Sequence, residues 1–396
     1  MEGFITWVGI DAHKKTLVVA VLRPGKSEPE EFTVENNERS IRSLVRGLEK
    51  GARGEIRVCY EAGPCGYALQ RRLNSDRIAC DVIAPSLIPR KPGERIKTDR
   101  RDALKLAELY RAGVLTVVEP PTPEQESIRD LCRCRETVRA DLGRCRHRLV
   151  KMLVRRGFIF DATSRLWSQR HRAWLRSLAF ENEIDRVVFT EYSLAIEQAE
   201  RRLRAMDSEM EKAAQLPLYR EHVAWLRCFH GIDTTIAMIF IAEIHGIERF
   251  DSPRGLAAYL GLVPTLYASG DRSRRGGITK TGNGHIRRAI IQACWHYRYP
   301  SRGVGAKLRE RREGQPERVL TIADEAQRRL TKRYRHLTDR GKNPNKAVIA
   351  VARELVGFFW AALRDNRNAA SIPPPKKTSR TEVGQSRKAR KEKRAA

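Results

Sequence analysis

The spacing of apolar positions divides this 396-residue chain into regions of different period. Up to about residue 115, short β-rich runs alternate with helical ones. Residues 5–10 and 16–22, joined by the polar turn Asp-Ala-His-Lys-Lys, predict a hairpin, with 31–34 as a third, short strand. Helical spacing over 41–48 leads to a strand at 56–60, a turn at Gly63-Pro64, a helix over 66–73 and a strand at 81–84. A helix over 99–111 closes the unit, with Gly113 just past its end as a stop. The alternation predicts an α/β domain.

Pro120, Pro121 and Pro123 mark a boundary, beyond which the period lengthens. Ile128, Leu131, Val138, Leu142, Cys145, Leu149 and Met152 follow 3–4 heptad spacing, with Arg135 the single polar intruder. Phe189, Tyr192, Ile196, Ala199, Leu203, Met206, Met210 and Ala213 repeat the pattern. Narrow apolar seams on charged helices, each roughly 37 Å long, predict a coiled coil. The seams can pair within one chain as an antiparallel hairpin or between chains; ordinary helices on a globular core would carry wider apolar faces.

From about residue 226 short helices are predicted at 223–229, 234–244 and 253–260. A Gly- and Arg-rich loop over 268–284 leads to a helix over 285–297. Further helices follow at 316–336 and 344–364, the last opening on the cap pair Asn343-Pro344. The expected organisation is an α/β domain (1–115), a helical connector (116–225), a mainly α domain (226–365) and a tail (366–396). Within the tail, residues 372–396 carry nine Lys/Arg against two Glu, which predicts a disordered, nonspecific polyanion-binding arm.

Charge changes the picture more than composition does. Lys and Arg number 77 against 48 Asp and Glu, a formal net charge of +29. Such an excess is self-repelling and points to a nucleic-acid partner. No apolar stretch approaches the roughly 20 residues of a membrane span, and no signal peptide precedes the first strand. Eight unevenly spaced cysteines fit a reducing compartment. A soluble, cytoplasmic protein without membrane partners is expected.

Four carboxylates then stand out. Asp11 and Glu61 each end an apolar run, which puts them at the rim of a sheet; Asp99 and Asp102 lie three apart at a helix start and share one face. Gathered together they would repel unless a cation lay between them, and magnesium pairs are a standard device for moving phosphodiester bonds. Any one of these acids alone is more readily a solvated surface residue. His13 and Lys14 read as turn residues.

A second constellation is Tyr-Ala-Ser-Gly-Asp-Arg-Ser-Arg-Arg-Gly-Gly-Ile-Thr-Lys-Thr-Gly-Asn-Gly (267–284). Its glycines allow close backbone approach, and Arg272, Arg274, Arg275 and Lys280 supply phosphate-binding cations. A serine hydroxyl among fixed arginines can attack phosphorus; alternatively the loop only grips backbone, with Ser269 and Ser273 as hydrogen-bond donors. The glycine turn before the apolar run of 229–244 is either a backbone contact or simple packing. Zinc at Cys132, Cys134, Cys145 and His147 is disfavoured, because residues two apart on a helix face different ways.

Asp11, Tyr-Glu-Ala-Gly-Pro-Cys-Gly-Tyr (60–67), Lys-Thr-Asp-Arg-Arg-Asp-Ala (97–103), Gly-Leu-Val-Pro (261–264), Ala-Ser-Gly (268–270) and Gly-Gly-Ile-Thr-Lys-Thr-Gly-Asn (276–283) together resemble the DEDD transposases of bacterial insertion sequences. The family is the IS-one-ten family, with its IS-eleven-eleven subgroup, related to the Piv DNA invertases. The resemblance implies an RNase H-like (RuvC-like) N-terminal domain, coiled-coil helices and a mainly α C-terminal transposase domain. It implies a magnesium site at Asp11, Glu61, Asp99 and Asp102, and a serine nucleophile matched best by Ser269, with Ser273 in reserve because Asp271 departs from the pattern. It further implies donor and target double-stranded DNA, a structured bridge RNA as guide, a homo-oligomer (a dimer, or a tetramer on DNA) and work at the bacterial nucleoid. A RuvC-like nuclease or junction resolvase, or a non-enzymatic nucleic-acid-binding protein, is the alternative.

Overall fold

The computed structural model describes residues 4–89, 98–161, 165–269, 272–299 and 303–364. The chain forms two compact units, each discontinuous in sequence: 1–216 with 238–245 and 258–289, and 217–237 with 246–257 and 290–396. The segment 226–365 therefore contributes to both.

The first unit is built on a mixed sheet. Its strands are β1 (Ile5–Ala12), β2 (Thr16–Leu22), β3 (Glu30–Glu35), β4 (Glu55–Glu61), β5 (Ala79–Ile83) and the two-residue β6 (Val117–Val118). They lie in the order β3-β2-β1-β4-β5-β6. β1 runs antiparallel to β2 and parallel to β4, which runs parallel to β5. The helices α1 (Glu38–Gly51) and α2 (Ala68–Ser75) cover one face, where Val8, Ile10, Val58 and Tyr60 meet Ile41, Leu44, Leu48 and Leu73. The helix α3 (Asp99–Arg111) covers the other, packing on Cys59, Ile83 and Trp7.

Position 9 sets how closely α3 approaches. A Cβ on Gly9 would lie 2.2 Å from the Ala103 carbonyl oxygen and 2.5 Å from the Ala107 nitrogen, so only glycine lets the helix backbone rest on β1. Asn37 and Thr98 cap α1 and α3 through their side chains. Asp99 and Asp102 occupy the first turn of α3, where the helix dipole favours negative charge.

The two predicted seams lie on α4 (Pro123–Arg155) and α6 (Glu183–Ala213), roughly 50 and 46 Å long. They pair within the chain as an antiparallel hairpin. Contacts run from Cys132–Met210 (3.7 Å) near one end, through Arg135–Asp207 (2.8 Å) and Arg146–Glu200 (2.7 Å), to Arg156–Asp185 (2.8 Å). Arg135, the polar intruder, is accommodated by its acid partner. Thr122 opens α4 with a reciprocal capping box to Gln125, and Pro123 fills the first turn. The short helix α5 (Gln169–Ser177) closes the far end; its His171 is buried among Phe160, Trp167 and Trp174 and kept neutral, its pKa lowered by burial.

Beyond α6 come α7 (Pro217–Arg227), α8 (Thr234–Ile244) and α9 (Pro253–Tyr259). Strands β7 (Pro264–Ser269) and β8 (Arg272–Ile278) follow, then α10 (Gly284–Cys294), α11 (Ala306–Arg312), α12 (Glu317–Asp339) and α13 (Pro344–Leu363). In the second unit α12 packs on α13, Phe229 meets Phe359 edge-on at 5.0 Å, and Trp360 donates to the Phe250 carbonyl (2.7 Å). Among the described residues no helix is long and apolar enough to cross a membrane.

Candidate active site

Side chains alternate along a strand, so Asp11 shares a face with Gly9, and Glu61 with Cys59. Both faces are the one covered by α3: Gly9 touches its backbone, and the Cys59 thiol donates to the Leu106 carbonyl (3.7 Å). The last registered pair of β1 and β4 is Ile10 with Tyr60. Asp11 and Glu61 therefore follow side by side on neighbouring parallel strands, whose spacing is roughly 4.8 Å. The capped first turn of α3 delivers Asp99 and Asp102 to the same end of the sheet.

The turn after β1 adds a residue that the sequence reading had set aside. His13 Nε2 lies 3.3 Å from Asp11 Oδ2 and 3.4 Å from Asp99 Oδ2. Among the described residues these three form the one group of acidic, histidine or cysteine side chains whose ligand atoms all lie within 4.8 Å of one another. Glu61 and Asp102 share the face and the end of the sheet but stand outside this triad. Asp11 is 21% exposed and Asp99 59%, so the group opens to solvent and admits a large substrate. Two carboxylates and an imidazole fit a divalent cation that keeps several waters; the nitrogen donor also suits manganese.

The segment 264–278, expected to begin a loop at 268, is instead a β-hairpin. Tyr267 pairs with Arg274 and Ser269 with Arg272, while Gly270 and Asp271 between the strands lie outside the described residues. So do the side chains of Ser269, Arg272, Ser273 and Arg275. Arg274 and Lys280 are exposed, as are Leu266 and Tyr267 (60% and 71%). Alternation of apolar and basic residues over 264–278 was the missed strand signal; the glycines outweighed it.

The hairpin's exit is held by a buried carboxylate. Glu243 on α8 is 1% exposed; it accepts from Arg133 Nε (2.8 Å) and Nη2 (3.0 Å) on α4 and from Asn283 Nδ2 (2.6 Å). Arg129, one turn from Arg133, approaches at 3.6 Å. Burial pushes the Glu243 carboxyl up, but Arg133, Asn283 and Arg129 outweigh it and hold the group below the usual carboxylate range. Glu136, also on α4, pairs with His285 and with Arg288 (3.4 Å) on α10. Gly282, just upstream, has φ +67°, and a Cβ there would meet the Tyr259 carbonyl oxygen at 1.9 Å.

Two other readings resolve. Cys132 is buried in the seam while Cys134 and His147 are exposed, so no zinc set assembles there. In α8, Ala237 to Phe240 and Ala242 to Ile244 are buried, which makes the apolar run of 234–244 a packing element.

Comparison with known proteins agrees with this arrangement. Residues 8–156 match a DEDD transposase family of the IS110 kind, and residues 224–302 match the transposase family IS116/IS110/IS902. A transposase of Sinorhizobium fredii, y4qE, is 38% identical over 92% of this chain and 90% of its own length. The transposase for insertion sequence element IS1533 of Leptospira borgpetersenii is 35% identical over 85% of this chain and 97% of its own. The protein is thus an enzyme of DNA recombination, a DNA transposase. It belongs to the IS110 family of insertion-sequence transposases, with an N-terminal DEDD region.

Proposed function

We propose that this transposase is an RNA-guided recombinase that cuts and rejoins donor and target DNA through a phosphoserine intermediate, with a magnesium site at Asp11, Glu61, Asp99 and Asp102. The observation that carries the acid site is the meeting of Asp11, His13 and Asp99 at the C-terminal end of two central parallel strands. The strand order 3-2-1-4-5, with only the first strand pairs antiparallel, supports an RNase H-like reading of this sheet. Asp11 and Asp99 hold the cation and Glu61 and Asp102 complete its set. Bound there, the cation offsets charge on the scissile phosphate as it develops.

Ser269 Oγ gives up its proton and bonds to phosphorus, while the bond from phosphorus to a deoxyribose oxygen breaks and that oxygen leaves protonated. One phosphodiester is exchanged for one phosphoserine ester, so rejoining by the reverse attack needs no nucleotide cofactor. Arg272, Arg274, Arg275 and Lys280 pair with phosphate oxygens around the reacting centre. A structured RNA as guide rests on the family resemblance and on the excess of 29 positive charges. More than one protomer is needed to process two duplexes.

The experiment is a denaturing gel of protein incubated with element-end DNA and guide RNA, with magnesium or with chelator. Wild type should give a protein–DNA adduct with magnesium only, and Ser269→Ala and Asp11→Ala should give none. Adducts from Ser269→Ala would move the nucleophile to Ser273. Cleavage at the wild-type rate by Ser269→Ala without any adduct would leave a metal-dependent nuclease and remove the serine step.

A further inference from the structure

We infer that the solvent face of α12 and the turn into α13 form a grip for the phosphate backbone of a double helix, separate from the acid site, the hairpin and the tail. The helix buries one stripe, with Val319, Ala323, Ala326, Leu330 and Tyr334 along it. Opposite that stripe lie Arg328, Lys332 and Arg335, all exposed, spaced i, i+4 and i+7 over about 10 Å of helix axis. Arg340 and Lys342 carry the charge through the turn, and Lys346 stands in the first turn of α13. Residues 328–346 hold eight Lys/Arg and a single acid, Asp339.

Two of the eight have internal work. Arg329 and Arg333 bind Glu354 at 2.9 and 3.2 Å. Among the described residues, the other six join no ion pair. Folding supplies no reason for their position. Arg328 and Lys332 are like charges four apart on a helix, which disfavours it. Arg340, Lys342 and Lys346 gather at the positive end of the α13 dipole, in a helix with no acid in its first turn. Both costs vanish when a polyanion lies across the face.

The chemistry of the face selects the kind of polyanion. Its only large aromatic, Tyr334, is 8% exposed and turned into the core, so no platform exists for the base stacking that single strands use. Long, unpaired cations also offer no fixed donor pattern for reading base edges. What remains is a ladder of phosphates held in a duplex, supplied either by B-form DNA or by a helical part of an RNA. The ridge falls outside both segments that carry the family match, 8–156 and 224–302.

The test replaces Arg328, Lys332 and Arg335 together by Gln in the full chain. Affinity is measured against salt for a 30-base-pair DNA duplex, an RNA duplex and oligo-dT. For DNA, each lost phosphate contact should lower the slope of log K against log salt by about 0.9, up to roughly 2.7 for the triple variant. Duplex binding near 0.1 M salt should weaken roughly tenfold, with oligo-dT binding nearly unchanged. Loss on DNA alone assigns the ridge to DNA, loss on RNA alone to RNA; either supports it. Arg328→Lys with Arg335→Lys should keep the slope, since a phosphate ladder needs charge and not a guanidinium fork. Unchanged slopes with both duplexes overturn the inference. So does an equal loss when Arg201, Arg202 and Arg204 on α6 are changed to Gln instead, because net charge would then explain it. Melting temperatures should be unaltered throughout, the ridge being exposed and unpaired.

Discussion

Asn283 binds Glu243 and caps α10 with the two ends of one amide. Its Nδ2 donates to Glu243 Oε2 across 2.6 Å, while its Oδ1 accepts from the backbone N–H of His285 (2.9 Å) and of Ile286 (3.0 Å). The residue where the β7–β8 hairpin hands over to a helix is thereby tied to a carboxylate that also holds the connector helix α4.

Removing that carboxylate should be costly. Glu243→Ala strands Arg133, Arg129 and the Asn283 amide, and breaking a buried pair from one side typically costs about 3–5 kcal/mol. Glu243→Gln keeps the shape and one acceptor and should cost less, about 1–3 kcal/mol. Urea unfolding followed by circular dichroism checks both; two variants with wild-type midpoints would show that the network is incidental.

The same group gives a pH dependence. Its pKa is lowered in the folded chain, so the folded state binds its proton less readily than the unfolded one. The stabilisation is therefore complete above the unfolded value, about pH 4.3, and is lost as pH falls below that through the folded value. Glu243→Gln should flatten the acid limb of a melting-temperature profile between about pH 5 and 3 relative to wild type.

Gly9→Ala should separate position from chemistry. The new methyl group forces α3 away from β1, an overpacking cost of about 1–3 kcal/mol. It displaces Asp99 and Asp102 without altering any acid. Adduct formation should fall far more than the folded fraction at 25 °C does. A variant that is destabilised yet fully active would mean the approach of α3 is not what assembles the site.

Within the triad, His13 should tune metal preference. Asp11→Ala and Asp99→Ala should each abolish saturable binding in a manganese titration. His13→Ala should weaken manganese more than magnesium, since imidazole favours the transition metal. Equal weakening of both ions would put His13 outside the coordination sphere, as a partner of the two acids only.

Mixing inactive proteins tests the composite centre. If the serine hairpin of one protomer serves the acids of another, Asp11→Ala and Ser269→Ala proteins should recover recombination together and show none apart. Failure of the mixture, with both proteins folded, would mean that each centre is built within one chain.

Much of the fold was legible because periodicity reports burial. The strands from 5 to 22, the helix over 99–111 and both seams carry unambiguous spacing. The choice between seams paired within or between chains was not legible, since a heptad pattern is the same in either case; the antiparallel ion pairs decide it. The hairpin over 264–278 was masked by its glycines. Asp11 and Asp99 could be read as an acid pair from their places at a strand's end and a helix's start. His13 could not, because a histidine in a tight turn looks alike whether it faces solvent or two carboxylates. Gly9 was silent too, since a glycine inside an apolar run does not announce which neighbour rests on it.

The paired course of α4 and α6 has an architectural consequence. The chain sets out at Pro123 and returns at Ala213, so residues as far apart as Cys132 and Met210 lie in contact near the root of the rod. Adding or deleting matched heptads on both arms would change only how far its aromatic tip stands from that root. Reach is in this sense a dimension written in the length of two seams, and it can drift between relatives, or be redesigned, without disturbing a single residue of the chemistry.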